Sequence, residues 1–225
     1  MSSPTPTVVA LDGPSGVGKT TVARLLADRL GLPYLETGAM YRAVGLEALD
    51  LGVDPDDASR LERLAAELDL TLEEDAVGKV QVLLRGRPLD SRARTQEVAE
   101  ITSRVSAHAG VRQTMVARQR VCANVRGAVM EGRDIGTKVF PETPYKFFLD
   151  APLEVRSERR LRQLRDVDES VSDPGAVLAE VAARDERDAG RADSPLTRDD
   201  SYELVDTGGR TAEEVVEAIA ERVEA

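Results

Sequence analysis

The sequence predicts an α/β fold, with a parallel sheet flanked by helices and a small antiparallel insertion. Three observations support this prediction. The chain opens on an apolar strand, a glycine-rich loop and a helix. Later apolar strands alternate with helical segments, a pattern typical of parallel sheets that are covered on both faces. Between residues 68 and 90 apolar and polar residues alternate instead, with turn signals, which favours short antiparallel strands. The 225 residues suffice for one such domain.

The first strand is predicted at 7–11, where the residues are apolar and β-prone. The segment "TTVARLLADRL" after the loop places its apolar residues at helical spacing. Gly31 ends this helix, and Pro33 prevents its continuation. A glycine-rich loop between a strand and a helix is the context that distinguishes a true phosphate-binding loop from a chance match.

The loop "GPSGVGKT" follows the pattern G-x-x-x-x-G-K-T. Its glycines allow backbone N–H groups to turn around phosphate oxygens, and the helix that follows adds the positive end of its dipole. Lys19 is expected to reach the β and γ phosphates, and the Thr20 hydroxyl to bind Mg²⁺. The predicted nucleotide-binding residues are Gly13, Pro14, Ser15, Gly16, Val17, Gly18, Lys19, Thr20 and Thr21.

The remaining elements follow from periodicity and from end signals. Helices are predicted at 38–51, 54–68, 153–164 and 177–187, with one long helical stretch at about 95–124. Further strands are predicted at 127–134, 145–151 and 202–207. The closing helix begins at Thr211, where Thr211 and Glu214 have the spacing of a capping box.

Composition restricts the possible partners. The net charge of -11 argues against a broad surface for nucleic-acid polymers. No segment approaches the roughly 18 apolar residues that span a bilayer, and the first residues lack a secretion signal. A single cysteine, Cys122, fits a reducing cytoplasm. We therefore expect a cytoplasmic protein without membrane or nucleic-acid partners, and we also expect a monomer. His108 and Cys122 have no partner cluster in the sequence and are interpreted as structural.

The loop alone leaves three outcomes for the terminal phosphate: hydrolysis, a conformational switch, or transfer to a second molecule. The segment "TGAMYR" places Thr37, Tyr41 and Arg42 at the start of the second helix, where they could hold an acceptor phosphate. The base-reading motif N-K-x-D of GTP switches is absent from the sequence. A kinase for another small acceptor, such as shikimate or another nucleotide, and an ATPase or switch subunit remain alternatives.

The sequence resembles the bacterial cytidylate kinases over nearly its whole length. The resemblance depends on six segments, which occur in this order: "DGPSGVGKTT", "TGAMYR", "RTQEVAEITSRVSAHAGVR", "EGRDIGTKVFP", "KFFLDA" and "RDERDAGR". It implies transfer of the ATP γ-phosphate to CMP or dCMP with Mg²⁺. It also implies a single P-loop kinase domain at 1–225, with an acceptor-side insertion at about 68–95 and a short helical lid at about 156–170.

The resemblance also implies a role for each matching residue. The implied catalytic residues are Lys19, Arg133, Arg156 and Arg160, and Arg159 is a further lid residue expected near the ATP phosphates. The implied CMP-binding residues are Thr37, Tyr41, Arg42, Ser103, Arg112, Arg133, Asp134, Arg184, Asp188 and Arg191. Arginine suits such a site because its planar fork pairs with phosphate oxygens through two bonds.

Within this set, Ser103, Arg112 and Asp134 are expected to recognise cytosine. The carboxylate of Asp134 would accept from the exocyclic N4 amine, and Arg112 would donate to N3 or O2. Uracil carries a carbonyl in place of the N4 amine and an N–H at position 3, so it would meet Asp134 with an acceptor and Arg112 with a donor. Uracil nucleotides should therefore be poor substrates. Arg184 and Asp188 are expected to contact the sugar hydroxyls. Position 37 departs from the family, because threonine stands where serine is usual, and its extra methyl group adds bulk.

Several of these residues have simpler interpretations. Asp134 could pair only with a neighbouring arginine, and Ser103 could be an ordinary helix serine. Arg184 and Asp188, four residues apart, could form a surface ion pair. The arginines of "EVRSERRLRQLR" could be a solvated helix face, and this explains Arg162 and Arg165 best.

Overall fold

The structure is a computed structural model that describes residues 6–75, 79–124, 126–166 and 173–225. Within these ranges eight strands form one sheet, in the order β3-β4-β2-β6-β1-β7-β8, with β5 paired to β4. The strands are β1 (Val8–Asp12), β2 (Tyr34–Glu36), β3 (Leu70–Glu74), β4 (Lys79–Leu84), β5 (Arg87–Pro88), β6 (Ala128–Gly132), β7 (Tyr145–Asp150) and β8 (Glu203–Asp206). From β4 to β8 all neighbouring strands are parallel, so the predicted parallel sheet is confirmed.

Eight α-helices surround this sheet within the described ranges. They are α1 (Lys19–Leu30), α2 (Thr37–Asp50), α3 (Ala58–Glu67), α4 (Gln96–Val105), α5 (Ala109–Ala123), α6 (Leu153–Arg165), α7 (Pro174–Ala189) and α8 (Ala212–Glu224). A 3-10 turn at Ser91–Arg94 and a single π-helical turn at Ile135–Val139 complete the elements. The predicted capping box is confirmed, since Thr211 and Glu214 bond reciprocally at the start of α8.

The central strand β1 shows why the sheet is covered on both faces. All five of its residues are buried. Val9 and Leu11 pack into the cluster formed with α1 and α8. Val8 and Ala10, on the opposite face, pack into a cluster that includes residues of α5. Since successive side chains of a strand point to opposite faces, a continuous apolar run such as "VVAL" fits a doubly covered strand.

The antiparallel insertion is present at the predicted place. Strand β3 pairs antiparallel with β4, and β4 pairs antiparallel with the two-residue strand β5. Strand β4 also pairs in parallel with β2, through Tyr34 opposite Lys79 and Leu35 opposite Val80. The insertion therefore extends the main sheet at one edge. Its assignment as an inserted subdomain remains an interpretation.

The prediction of one long helical stretch at about 95–124 was wrong in one respect. The stretch divides into α4 and α5 at residues 106–108. His108 is the N-cap residue of α5, and its Nε2 lies 2.8 Å from the carbonyl oxygen of Pro55. The carbonyl of Ser106 accepts a bond of 3.1 Å from the side chain of Arg112, one turn into α5. Both contacts stabilise the break, and the contact of His108 with Pro55 spans 53 positions and so carries no local sequence signal.

Candidate active site

The carboxyl ends of three neighbouring strands meet at one edge of the sheet. In the registers of β1, β2 and β6, Asp12 lies opposite Gly132, and Glu36 lies opposite Glu131. The loop after β1 leads into α1, and the chain after β2 leads directly into α2. In open α/β sheets, ligands bind in the crevice beyond the carboxyl ends of the strands.

The phosphate loop, residues 13–20, requires glycine for reasons of space. Gly13 has φ +148°, and a Cβ there would lie 2.2 Å from the carbonyl oxygen of Leu149. Gly16 has φ +80°, and its Cβ would lie 2.5 Å from the carbonyl oxygen of Arg156. Both positions exclude a side chain, so only glycine lets the loop pack this closely against β7 and α6. The loop ends at the first residue of α1, where the helix dipole favours an anion.

Lys19 is folded over its own loop. Its Nζ donates to the carbonyl oxygens of Gly13 at 2.8 Å and Pro14 at 2.6 Å. The residue is 7% exposed. Burial, followed by the nearby Arg133, lowers the pKa of this amine well below its ordinary value. A lysine ammonium has three donors, so these two bonds leave the capacity to donate to a phosphate oxygen.

Glu131 stands at the end of β6 beside the phosphate loop. Tyr34 donates to its carboxylate at 2.7 Å, and the Thr20 hydroxyl also bonds to it. Burial, then the neighbouring Glu36, raises the pKa of Glu131, while Lys19 opposes the shift. A hydroxyl on the phosphate loop and a carboxylate on the adjacent strand are the donor set that holds Mg²⁺ in P-loop enzymes. Mg²⁺ needs only one or two such protein ligands, so these residues fit the ion.

A cleft of 430 Å³ opens beside the loop. Ser15, Lys19 and Thr20 line one side of it. The opposite side, which we call the acceptor wall, is formed by eight of the predicted CMP-binding residues: Tyr41, Arg42, Arg112, Arg133, Asp134, Arg184, Asp188 and Arg191. Gly16, Gly18, Thr21, Thr37 and Arg160 also line the cleft. The structure thus brings together residues that lie up to 176 positions apart, from Ser15 to Arg191.

Arg112 and Asp134 form a buried ion pair on the acceptor wall. Arg112 is 2% exposed and Asp134 is 4% exposed, and the guanidinium donates to the carboxylate. The same guanidinium lies 5.3 Å from the ring centroid of Tyr41, close enough for a cation–π contact. Burial alone would lower the pKa of Arg112, but Tyr41 and Asp134 outweigh it and raise this pKa. The carboxylate keeps acceptor capacity beyond this one bond.

Asp188 is the second buried carboxylate of the acceptor wall. Arg133 donates to it at 2.8 Å, and Arg191 also donates to it. Burial opposes its ionisation, but Arg133, Arg191 and Arg184 together outweigh burial and lower the pKa of Asp188. Asp188 therefore pairs with Arg133 and Arg191 inside the cleft, with the charge of Arg184 nearby, rather than forming a solvated surface pair with Arg184.

The acceptor wall carries more cations than anions. Burial, followed by Arg133, lowers the pKa of Arg184 to about 10. Burial also lowers the pKa values of Arg160 and Arg191. Arg42 donates to Glu36 beside them. Accumulated positive charge in a partly buried cleft attracts an anionic ligand, although the whole chain is strongly acidic.

Of the predicted CMP-binding residues Thr37 and Ser103, the first lines the cleft and the second does not. The Thr37 hydroxyl donates to the carbonyl oxygen of Glu131 at 2.6 Å, so it remains available to a ligand only as an acceptor. Ser103 is buried on α4 and is not among the residues that line the cleft. Its helix neighbours Thr102 and Ser106 line the cleft instead.

Two arginines of α6 hold the phosphate loop from outside. Arg156 donates to the carbonyl oxygens of Ser15 at 3.1 Å and Ala151 at 2.9 Å, and it lines neither cavity. Arg159 donates to the carbonyl oxygen of Val17 in the loop at 3.4 Å and to that of Thr207 at 2.7 Å, and it lines a second cavity of 310 Å³. Only Arg160 of the three faces the cleft.

The predicted lid at about 156–170 falls partly on helix α6. Leu161 and Leu164 of this helix pack against Val177 and Val181 of α7. Residues 167–170 lie outside the described ranges. The function of this segment as a lid therefore stays a prediction.

The comparisons with known proteins agree with this geometry. Residues 9–225 match the family model described as cytidylate kinase. The chain belongs to the cytidylate kinase family. The cytidylate kinase of Symbiobacterium thermophilum is 42% identical over 94% of this chain and 93% of the relative. That of Corynebacterium glutamicum is 44% identical over 97% of this chain and 94% of the relative.

A solved structure supports the fold alone. The chain resembles an uncharacterized protein from Eubacterium ventriosum with a TM-score of 0.52 and 14% identity, over 97% of this chain and 98% of the other. In the part of the chain that the structure describes, no helix has both the length and the apolar character needed to cross a membrane.

Sequence reasoning missed several residues of this cytidylate kinase site. Glu131 had a usable signal, because a charge that ends a buried strand beside the phosphate-loop strand is typical of a metal-binding carboxylate. Arg94, Thr102 and Ser106 line the cleft but had no such signal. Asp185, in the segment "RDERD", contacts the phosphate loop, and nothing in the sequence indicated that contact.

Proposed function

We propose that the protein is an ATP-dependent kinase that transfers the γ-phosphate of ATP to CMP or dCMP, giving ADP and CDP or dCDP. One observation supports this proposal above all. A phosphate loop faces an arginine-rich wall across a single cleft, and that wall contains a buried Arg112–Asp134 pair able to recognise a base. Family membership agrees with this choice of reaction.

The donor side is supplied mainly by backbone groups. The phosphate loop would surround the β and γ phosphates with N–H groups, and Lys19 would donate its remaining bond to them. The 310 Å³ cavity, which shares Gly16, Gly18 and Thr21 with the larger cleft, would hold the adenosine. Arg159 and Arg210 line that cavity and offer cations near the donor nucleotide.

Thr20 and Glu131 would hold Mg²⁺ next to the donor phosphates. When bound there, the ion would neutralise part of the triphosphate charge. Glu131 is suited to this role because its carboxylate is buried and bonds to the Thr20 hydroxyl of the phosphate loop. Tyr34, which donates to the same carboxylate, would fix its orientation.

The acceptor phosphate would lie among Arg42, Arg133, Arg184 and Arg191. Two phosphate groups repel each other, so an acceptor oxygen approaches the γ-phosphate only when nearby cations reduce that repulsion. The attacking group is already an oxyanion, and no general base is needed. Catalysis would then consist of alignment and charge stabilisation. Arg160, the α6 arginine that lines the cleft, would contact the transferred phosphate.

Cytosine would be recognised by Asp134 and Arg112. The carboxylate accepts from the N4 amine, and the guanidinium donates to N3 or O2. Uracil presents a carbonyl to the carboxylate and an N–H to the guanidinium, which leaves both buried groups mismatched. We propose sugar contacts for Arg184 and Asp188, in addition to their roles in the charge network. The expectations of a monomer and of a cytoplasmic location remain predictions.

A coupled assay that follows ADP formation from ATP tests this function. CMP and dCMP should be phosphorylated efficiently, UMP and AMP poorly, and shikimate not at all. Comparable rates with UMP and CMP would exclude the proposed base recognition. Activity on shikimate alone would favour a different small-acceptor kinase, and steady ATP hydrolysis without any acceptor would favour an ATPase subunit.

A further inference from the structure

Asp185 connects helix α7 to the phosphate loop. Its Oδ1 accepts from the backbone N–H of Ser15 at 3.2 Å. Its Oδ2 accepts from the guanidinium of Arg156. Arg156 in turn donates to the carbonyl oxygen of Ser15 at 3.1 Å. Both backbone polar groups of Ser15 are therefore held by an ion pair between α6 and α7.

The same turn of α7 also forms part of the acceptor wall. Arg184, which precedes Asp185, and Asp188, one turn later, both line the cleft. Ser15 lines that cleft from the donor side. One helical turn thus contacts the donor loop through Asp185 and the acceptor site through its neighbours.

A carboxylate beside a phosphate-binding loop needs an explanation. Unpaired, its charge would repel the donor triphosphate. Paired with Arg156 it is balanced, and the side chains of Arg156 and Asp185 are only 10% and 19% exposed. Charge-assisted bonds in such a partly buried place are stronger than exposed ion pairs and fix geometry as well.

We propose that Asp185 and Arg156 are positioning residues that couple donor binding to acceptor binding. Arg156 would thus act on the loop from outside the cleft, rather than by touching ATP. When an acceptor fixes Arg184 and Asp188, it also fixes the turn that holds Ser15, so the phosphate loop is ordered before the donor arrives. Pre-ordering of this kind lowers the entropic cost of binding. Thermodynamic reciprocity requires that the donor improve acceptor binding by the same factor.

This inference rests on the proposed function, and two measurements distinguish a failure of the inference from a failure of the proposed function. The first is the steady-state rate with CMP. The second is the coupling factor, which is measured with a non-hydrolysable ATP analogue in the presence of Mg²⁺. It is the dissociation constant of the analogue without CMP divided by its dissociation constant at saturating CMP. The wild type should phosphorylate CMP and show a coupling factor above one. If it does not phosphorylate CMP, the proposed function fails.

The test variant is Asp185→Ala, and Glu186→Ala serves as its matched control. Glu186 is the next residue of α7, carries the same charge and is exposed. We expect Asp185→Ala to lower kcat by about tenfold, because the phosphate loop is then held less firmly in the geometry that transfer needs. Its coupling factor should fall towards one, while the KM for CMP changes less than kcat. Glu186→Ala should match the wild type in all three quantities.

A second variant guards against misfolding. Asp185→Asn keeps the shape and the acceptor for the Ser15 N–H, but it removes the charge that pairs with Arg156. It should lose part of the coupling, and Arg156→Lys, which keeps a cation without the guanidinium fork, should lose a similar part. The inference is overturned if folded Asp185→Ala or Asp185→Asn retains the wild-type coupling factor and kcat while the wild type phosphorylates CMP.

Discussion

The phosphate loop and the acceptor wall face each other across one cleft, and they use different groups to bind an anion. The loop relies on backbone N–H groups, a helix terminus and one lysine, all within eight consecutive residues. The acceptor wall uses side chains from α2, α5, the turn after β6, α7 and the chain after α7. A short segment suffices to form the phosphate loop, whereas the acceptor wall forms only when the sheet and helices have assembled.

The two sides also differ in how they carry charge. Lys19 is held by neutral carbonyl groups of its own loop. On the acceptor wall, Arg112 and Asp134 are paired and so are Arg133, Asp188 and Arg191. A buried ion pair is weak evidence of stabilisation, but removal of one partner leaves an uncompensated charge. Substitutions on the acceptor wall should therefore affect folding as well as binding, whereas truncation of the Lys19 side chain should affect catalysis far more than folding.

The largest effect is expected on the donor side, at Lys19. Lys19→Ala should lower kcat/KM by several powers of ten, each of which is about 1.4 kcal/mol of barrier. The melting temperature should change little, because Lys19 contacts carbonyl groups rather than the core. Lys138→Ala is the control, since its ion pair with Asp193 lies at the surface and such pairs contribute little. Activity within threefold of the wild type would contradict the assignment of the phosphate loop.

The next effect in size concerns base selection at Asp134. Wild-type enzyme should prefer CMP to UMP by roughly 100-fold in kcat/KM, because buried mismatched groups cost about 1–3 kcal/mol each. Asp134→Ala should reduce this ratio mainly by loss of CMP activity, since the mismatch of uracil with Arg112 persists.

The melting temperature of Asp134→Ala should also fall, because Arg112 then lacks its buried partner. Asp200→Ala, at an exposed carboxylate, is the control for both measurements. An unchanged CMP-to-UMP ratio in Asp134→Ala would place base recognition elsewhere.

The sequence predicted the local features of this molecule well. The phosphate loop, the end of α1 at Gly31 and the capping box of Thr211 and Glu214 each depend on residues a few positions apart. The three-residue strand β2 was missed, since three residues are too few for a periodic pattern. The break between α4 and α5 was also missed, because it depends on contacts of His108 and Arg112 with distant groups.

Apart from Tyr41 and Arg42, the residues of the acceptor wall could be predicted only through family resemblance. Arg133, Asp188 and Arg191 form one network in the structure, yet no spacing rule connects residue 133 with residue 188. The contact of Asp185 with Ser15 spans 170 positions and had no sequence signal at all. The donor site can therefore be located from the sequence by physical reasoning alone. The acceptor site cannot, because its residues come together only in the folded protein.

A smaller effect is expected at Tyr41, where the two contributions of the side chain can be separated. Tyr41→Phe keeps the ring beneath Arg112 and removes only the hydroxyl. Among the residues that the structure describes, this hydroxyl has no hydrogen-bond partner, so it is free to bond to CMP. Loss of that one neutral hydrogen bond, about 0.5–1.5 kcal/mol, should raise the KM for CMP by roughly two- to tenfold. Tyr41→Leu also removes the cation–π contact and should raise this KM further. Equal KM values for both variants would show that the ring contact with Arg112 does not contribute.

The smallest effect expected is a pH dependence of stability that belongs to the acceptor wall. The pKa of Asp188 is lowered in the folded protein, because Arg133, Arg191 and Arg184 outweigh the effect of burial. A carboxyl whose pKa is lowered by folding stabilises the fold at pH values above its unfolded pKa, which is about 3.9 for aspartate. This contribution is lost as the pH falls through the pKa of the folded state.

Wild-type stability should therefore decline as the pH falls below about 4 more steeply than the stability of Asp188→Asn, which has no carboxyl group to titrate there. At neutral pH the variant should be the less stable of the two, because three arginines lose their shared anion. The free energy of unfolding, measured with denaturant between pH 3 and pH 7, tests both expectations, and parallel curves for the two proteins would show that Asp188 is not stabilised by its arginines.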